Sequence, residues 1–195
     1  MTFEDTIKFH GHTCPGLAIG FRVANLALKE LGLRARDEEL VAIVENNSCA
    51  LDAIQLICGC TFGKGNLIFK DFGKQVYTFI RRPHSEAVRI AVKWEPPSED
   101  PETEAMWTRY SEGDRSPEVT AVVQDRKARK MNSILGADDQ ELFNIKRIEV
   151  KMPDPARIYK SLTCANCGEK VMETRTRSVD SQVWCIPCSE EKSSK

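Results

Sequence analysis

Apolar and polar positions follow two periods along this chain, and the changes of period mark its elements. From Pro15 to Leu31, the residues Leu17, Phe21, Ala24, Leu28 and Leu31 recur at steps of four and three, the spacing of one helical face, and Gly32 ends the run. Gly16, Gly20, Ala24 and Ala27 add a stripe of small residues along which another backbone can approach closely. Leu40 to Glu45 is apolar and β-branched and predicts a buried strand. Asn46, Asn47 and Ser48 end that strand and open a helix from Cys49 to about Cys58, with Leu51, Ile54 and Cys58 on one side and Cys49 with Asp52 on roughly the other. Leu67–Phe69 and Val76–Ile80 flank a polar turn and predict a β-hairpin, followed by a further strand from Val88 to Trp94. Between residues 95 and 116 the chain is acidic and rich in proline, with Met106, Trp107 and Tyr110 spaced for one short helix in an arm, linker or flap. Ser116-Pro117-Glu118 starts a helix through Leu135, Asp138 or Asp139 caps a shorter one, and Ile145 to Met152 alternates like a strand.

Composition changes this picture in two places. The formal net charge is -1, which removes any global electrostatic case for nucleic acid or an acidic membrane surface. The basic cluster Arg126, Lys127, Arg129 and Lys130 is the best local argument for a nucleic-acid contact, but a solvated helix face explains it more simply. No run of eighteen apolar residues occurs and the first residues lack a signal-peptide pattern, so the expected location is the cytoplasm, with no membrane partner. In a reducing compartment the eight cysteines argue for metal or thiol chemistry over a disulfide scaffold.

Four of those cysteines form the strongest motif. Cys164 and Cys167, then Cys185 and Cys188, are two CxxC pairs separated by 17 residues, the spacing of a closed four-thiolate structural zinc site, and Gly168 permits the tight turn after the first pair. Pro153 and Pro155 mark the boundary, giving an N-terminal domain over residues 1–152 (about 95–117 as its arm or linker) and a tail over 153–195.

The other concentration of chemistry is Phe9-His10-Gly11-His12-Thr13-Cys14-Pro15-Gly16. Pro15 suits the first helical position, which makes Cys14 the N-cap, facing unpaired N–H groups and the positive end of the helix dipole. Both favour a thiolate, and Cys49 stands similarly in the first turn of its own helix. His12 is a second ligand for a soft metal or a proton partner. The loop Gly59-Cys60-Thr61-Phe62-Gly63-Lys64-Gly65-Asn66 fails the Walker A pattern in spacing and in the residue after Lys64, leaving either a turn that delivers Lys64 or Cys60 to a pocket or a plain surface turn.

FHGHTCPGLAIGFR, CALDAIQ, GCTFGKGNL and DFGKQVYTF occur in that order and together resemble FmdE, a family that takes its name from formylmethanofuran dehydrogenase, over roughly residues 3 to 80, and through the CxxC pairs in the tail. The resemblance implies an α+β domain, a mixed or antiparallel sheet with packed helices, followed by a zinc-ribbon or treble-clef tail. It carries a site onto His10, His12, Cys14, Cys49, Asp52, Cys60 and Lys64, and it implies a homodimer and a protein partner in a larger oxidoreductase complex. Three functions follow. In one, His12, Cys14 and Cys49, with His10 or Cys60, hold a second transition metal, taken as zinc, beside the structural zinc of the tail; Cys14, Cys49, Asp52 and Lys64 are then the candidate catalytic set, Asp52 as orienter or base and Lys64 as an anion anchor. In another, Cys14 and Cys49 cycle through a disulfide. In the third, the chain is an accessory or regulatory component that docks through its zinc tail, and direct catalysis is not implied.

Overall fold

The computed structural model describes residues 1–193. They form two units, Met1–Pro155 and Ala156–Lys195, each with its own internal packing.

The N-terminal unit is α+β. It opens with a helix that the apolar periods do not anticipate, α1 (Phe3–His10), nucleated by a reciprocal cap in which Thr2 accepts from the Asp5 backbone and Asp5 from that of Thr2. Gly11 ends α1 at φ 90°, and α2 (Pro15–Leu31) follows after a short connection, with Pro15 at its first position as the sequence predicts. Strand β1 (Leu40–Val44), helix α3 (Ala50–Cys58) and strand β2 (Leu67–Phe69) form a parallel crossover. Antiparallel β3 (Val76–Arg81) and β4 (Glu86–Val92) come next, then α4 (Pro101–Ser111), α5 (Pro117–Gly136), the short α6 (Asp139–Leu142) and β5 (Phe143–Glu149). The sheet order is β2-β1-β3-β4-β5.

That order overturns the expected hairpin. β2 and β3 do not pair: β1 lies between them, with Ala42 opposite Leu67 on one side and Phe79 on the other. The reason is the all-apolar character of Leu40–Val44, which fits the middle of a sheet and needs a neighbour on each edge. The residues between β2 and β3 instead carry the chain past the end of β1, where Lys70 N–H donates to the Val44 carbonyl and Lys74 N–H to that of Glu45.

One face of the sheet, with Leu40, Ala42, Val44, Tyr77, Phe79, Val88 and Ile90, packs beneath α2 and α3 in a single core. α2 is buried on more sides than its stripe predicts, because it packs against α1, α3, α5 and the sheet. The small-residue stripe is where α3 comes in: a Cβ on Gly20 would stand 2.2 Å from the Ala50 carbonyl oxygen, and one on Gly16 would stand 3.3 Å from Cys49 Cβ. The segment expected as an arm contains α4, capped by Asp100 and laid against α5. The basic cluster of α5 is occupied internally, with Arg126 and Lys130 on Glu99, Arg126 also over the Trp107 ring, Lys127 over Tyr110 and Arg129 on Asp125. No helix among the described residues is long and apolar enough to cross a membrane.

The C-terminal unit has two small antiparallel ladders, β6 (Ser161–Thr163) with β7 (Lys170–Met172) and β8 (Thr176–Val179) with β9 (Gln182–Cys185), and then α7 (Ile186–Ser193).

Candidate functional site

Three helix ends converge in the N-terminal unit. His10 is the last residue of α1, Cys14 is the N-cap of α2, and Cys49 is the N-cap of α3. With His12 in the connection between α1 and α2, one donor atom from each of the four lies within 4.8 Å of the others. Gly16 and Gly20 make this possible, since any side chain there would drive the start of α3 away from Cys14.

The four donors are held differently. Leu17 N–H donates to Cys14 Sγ at 3.3 Å, the capping bond expected for this position. His10 donates from Nδ1 to Asp52 Oδ2 at 2.7 Å, and its Nε2 stands 3.9 Å from Cys14 Sγ. Asp52, in the first turn of α3, is held in turn by Gln55, whose Nε2 donates to Oδ1 at 3.4 Å. The His12 ring lies tilted over that of His10, with centroids 4.3 Å apart. Cys49 makes no capping bond, and its titration runs opposite to the thiolate expected from a helix N-terminus. Partial burial pushes the Cys49 thiol up, and the neighbouring Cys14 thiol and the Asp52 carboxylate push the same way. A cation in the centre would reverse this, because a coordinating thiol is deprotonated outright.

The donor set fits a borderline-soft ion. Two sulfurs and two imidazoles suit zinc, whose bonds of roughly 2.0–2.3 Å imply donor separations of about 3.3–3.8 Å, so the four atoms would draw together by about 1 Å.

Two of the sequence-nominated residues lie elsewhere. Cys60 is fully buried beyond the C-terminal end of α3, its thiol donating to the Leu40 carbonyl at 3.3 Å and pushed up to about 12 by burial. Lys64 is in the same loop, with Glu39 and Cys60 among its electrostatic neighbours. Nine residues of helix, about 13 Å, separate this end of α3 from Cys49. The loop is organised by a residue that sequence reasoning passed over. Fully buried Asn66 donates to the carbonyls of Asp37, Leu40 and Gly59 and accepts from Thr61 N–H. Its glycines therefore serve a stapled turn, and Gly59 sits at φ 72°, with the Ala35 carbonyl 2.4 Å from where a Cβ would be.

In the C-terminal unit, one sulfur from each of Cys164, Cys167, Cys185 and Cys188 lies within 4.8 Å of the others. Gly168, at φ 77°, closes the first knuckle by donating to the Cys164 carbonyl at 2.9 Å. Backbone N–H groups of Cys167 and Cys185 donate to Cys164 Sγ and bring that thiol down to about 6. Although the Glu169 backbone favours a thiolate at Cys167, lost hydration and the three neighbouring thiols drive it up to about 12. Cys185 is raised too, the neighbouring Cys188 and Cys164 thiols outweighing a backbone bond from Cys188. Four sulfurs this close cannot all ionise without a cation among them, which is the chemistry of a closed structural zinc site.

Comparison with known proteins agrees with both units. Residues 9–144 match the family described as FmdE, molybdenum formylmethanofuran dehydrogenase operon, and residues 157–193 match the prokaryotic dksA/traR C4-type zinc finger. A curated relative from Archaeoglobus fulgidus, described as a probable S-adenosyl-L-methionine-binding protein, is 31% identical over 193 residues, covering 93% of this chain and 50% of its own length. The chain thus spans about half of that relative. A crystal structure of an FmdE-like protein of tungsten formylmethanofuran dehydrogenase, from Syntrophus aciditrophicus, superposes with a TM-score of 0.59 at 22% identity, covering 98% of this chain and 94% of the other, a likeness of fold.

Proposed function

The chain belongs to the FmdE family, and from that premise we propose that its N-terminal unit is a metal centre in which His10, His12, Cys14 and Cys49 hold a divalent, thiophilic ion, most simply zinc. The observation that carries this reading is the convergence of the four donors, with Asp52 fixing Nδ1 of His10 so that Nε2 is the nitrogen presented to Cys14. A carboxylate on the far nitrogen of a ligating histidine sets its tautomer and raises its basicity. When bound, the ion would supply Lewis-acid polarisation of an added ligand. Cys14 and Cys49 act here as ligands and Asp52 as a positioning residue; Lys64 and Cys60 are left out of the centre.

The C-terminal unit carries the second zinc in a closed site that holds the unit together. In keeping with the character of its family, the chain is proposed to work as a cytoplasmic accessory component, a homodimer that docks on an oxidoreductase partner through this tail. The archaeal relative's description favours a second reading, binding of S-adenosyl-L-methionine, which calorimetric titration of the full chain with that compound would test.

Elemental analysis of anaerobically purified protein tests the main reading. Wild type should carry two metals per chain and the Cys14→Ser, Cys49→Ser double variant one. One metal in both would leave only the tail zinc and move the dithiol reading of Cys14 and Cys49 ahead.

A further inference from the structure

The four donors of the N-terminal cluster are not equally anchored, and the difference points to what the centre binds. Resting on the metal-centre reading above, we infer that His12 is the exchangeable donor and that a small-molecule thiol takes its place, bound as thiolate.

Three of the donors are fixed by their surroundings. His10 closes α1, has a side chain only 10% exposed and is tied to Asp52, which is itself tied to Gln55. Cys14 is locked by the Leu17 N–H. Cys49 is clamped where the start of α3 meets the glycine face of α2. His12 has none of these supports. It lies between Gly11 and Thr13, in a connection that belongs to no helix, and it is the one exposed member of the cluster. Its ring touches that of His10, and it makes no hydrogen bond among the described residues.

Swinging His12 outward would cost no hydrogen bond and no buried contact, and it would leave one position open directly to solvent. The remaining His10, Cys14 and Cys49 form a two-sulfur, one-nitrogen set, which selects a soft ion and, on that ion, a soft incoming donor. The N-terminal ends of α2 and α3 both face this position, and their dipoles favour an anionic ligand over a neutral one. A thiolate meets both conditions. In the exchange the metal–nitrogen bond to His12 breaks, a metal–sulfur bond forms and the S–H proton passes to solvent, with no change of oxidation state.

The test uses full-length protein loaded with cobalt(II), read as the difference from the Cys14→Ser, Cys49→Ser variant so that the tail contribution cancels. 2-Mercaptoethanol is the sulfur probe and imidazole the nitrogen probe. The His12→Ala variant should keep its second cobalt and bind 2-mercaptoethanol about tenfold or more tightly than wild type, the competing donor being gone. The sulfur-to-cobalt charge-transfer band should then grow as the thiolates rise from two to three, with imidazole binding more weakly than the thiol. The inference is overturned if His12→Ala loses its second cobalt as fully as His10→Ala does, if the thiol strips the metal or leaves the band unchanged, or if imidazole is preferred. A wild type that carries no cobalt beyond the double variant is a separate failure, that of the metal centre itself.

Discussion

His10 and Asp52, 42 residues apart in sequence, are joined by a 2.7 Å bond from Nδ1 to Oδ2, and this bond couples the end of α1 to the first turn of α3. It does two things at once. It fixes which nitrogen of His10 faces Cys14, and it holds the α1 end against the helix that carries Cys49. The candidate centre therefore depends on a residue that need not touch the metal.

Replacing Asp52 should accordingly weaken metal binding without unfolding the protein. Asp52 is part-exposed on the first turn of α3, so Asp52→Ala is expected to lower N-terminal metal affinity by about 10–100-fold, the usual effect of losing a ligand's hydrogen-bond partner. Asp52→Asn keeps an acceptor oxygen and should fall between wild type and Ala. Competition with a chromophoric chelator measures the affinities, and circular dichroism should show an unchanged fold.

Gly20→Ala tests the geometry that brings the two thiols together. Its Cβ would lie 2.2 Å from the Ala50 carbonyl oxygen and under 3 Å from two further Ala50 backbone atoms, so α2 and α3 must move apart. Overpacking of this kind costs about 1–3 kcal/mol or more. Gly63→Ala is the control, since nothing lies within 4 Å of its Cβ, and it should stay within about 0.5 kcal/mol of wild type. Denaturant melts give both values, and the Gly20 variant should also lose N-terminal metal because Cys49 is carried away with α3.

The tail thiols make zinc uptake pH-dependent with a definite sign. Metal binds thiolates, and at neutral pH the metal-free Cys167 (about 12) and the raised Cys185 are protonated, so uptake must release at least two protons. Affinity should then fall by about 100-fold for each unit of pH lost, and more steeply below about 6, where Cys164 also takes up its proton. Zinc titrations in buffers of different ionisation enthalpy would count the protons. Chelation should abolish the ordered structure of residues 156–195, and a tail that kept its amide dispersion without metal would refute a structural role for the ion.

Local periodicity made much of this fold legible. The cap at Cys14, Pro15 at the helix start, Gly32 at its end, the close approach along Gly16 and Gly20, and the two CxxC knuckles are all encoded within a few residues of where they act. The pairing of β1 with both β2 and β3 was not legible, because strand order depends on which apolar run is buried deepest and not on which runs are adjacent. α1 was missed although Thr2 and Asp5 form a readable cap, since the two histidines drew attention to the end of that helix and away from its beginning. The roles of His10 and Asp52 emerged only when α1 and α3 were seen side by side. The direction of the Cys49 shift likewise needed its neighbours, because a dipole argument from sequence cannot include burial or a second thiol.

The glycine-rich loop gives the sharpest separation between a site and a staple. If Cys60 or Lys64 belonged to the metal centre, changing either would reduce metal content. The two residues stand beyond the opposite end of α3 from Cys49, and Cys60 Sγ is turned to the Leu40 carbonyl within the core. Cys60→Ala and Lys64→Ala should therefore both retain two metals per chain, the former losing about 1 kcal/mol of stability as a small buried group is removed. Asn66→Ala should behave in the reverse sense. It strips a partner from three carbonyls and from Thr61 N–H in a fully buried position, and unsatisfied groups of this kind cost about 1–3 kcal/mol each when water cannot reach them. A large loss of stability with undiminished metal in the surviving folded protein would assign the loop to the scaffold, whereas loss of metal in Cys60→Ala at unchanged stability would return Cys60 to the centre and require α3 to be rearranged in the loaded protein.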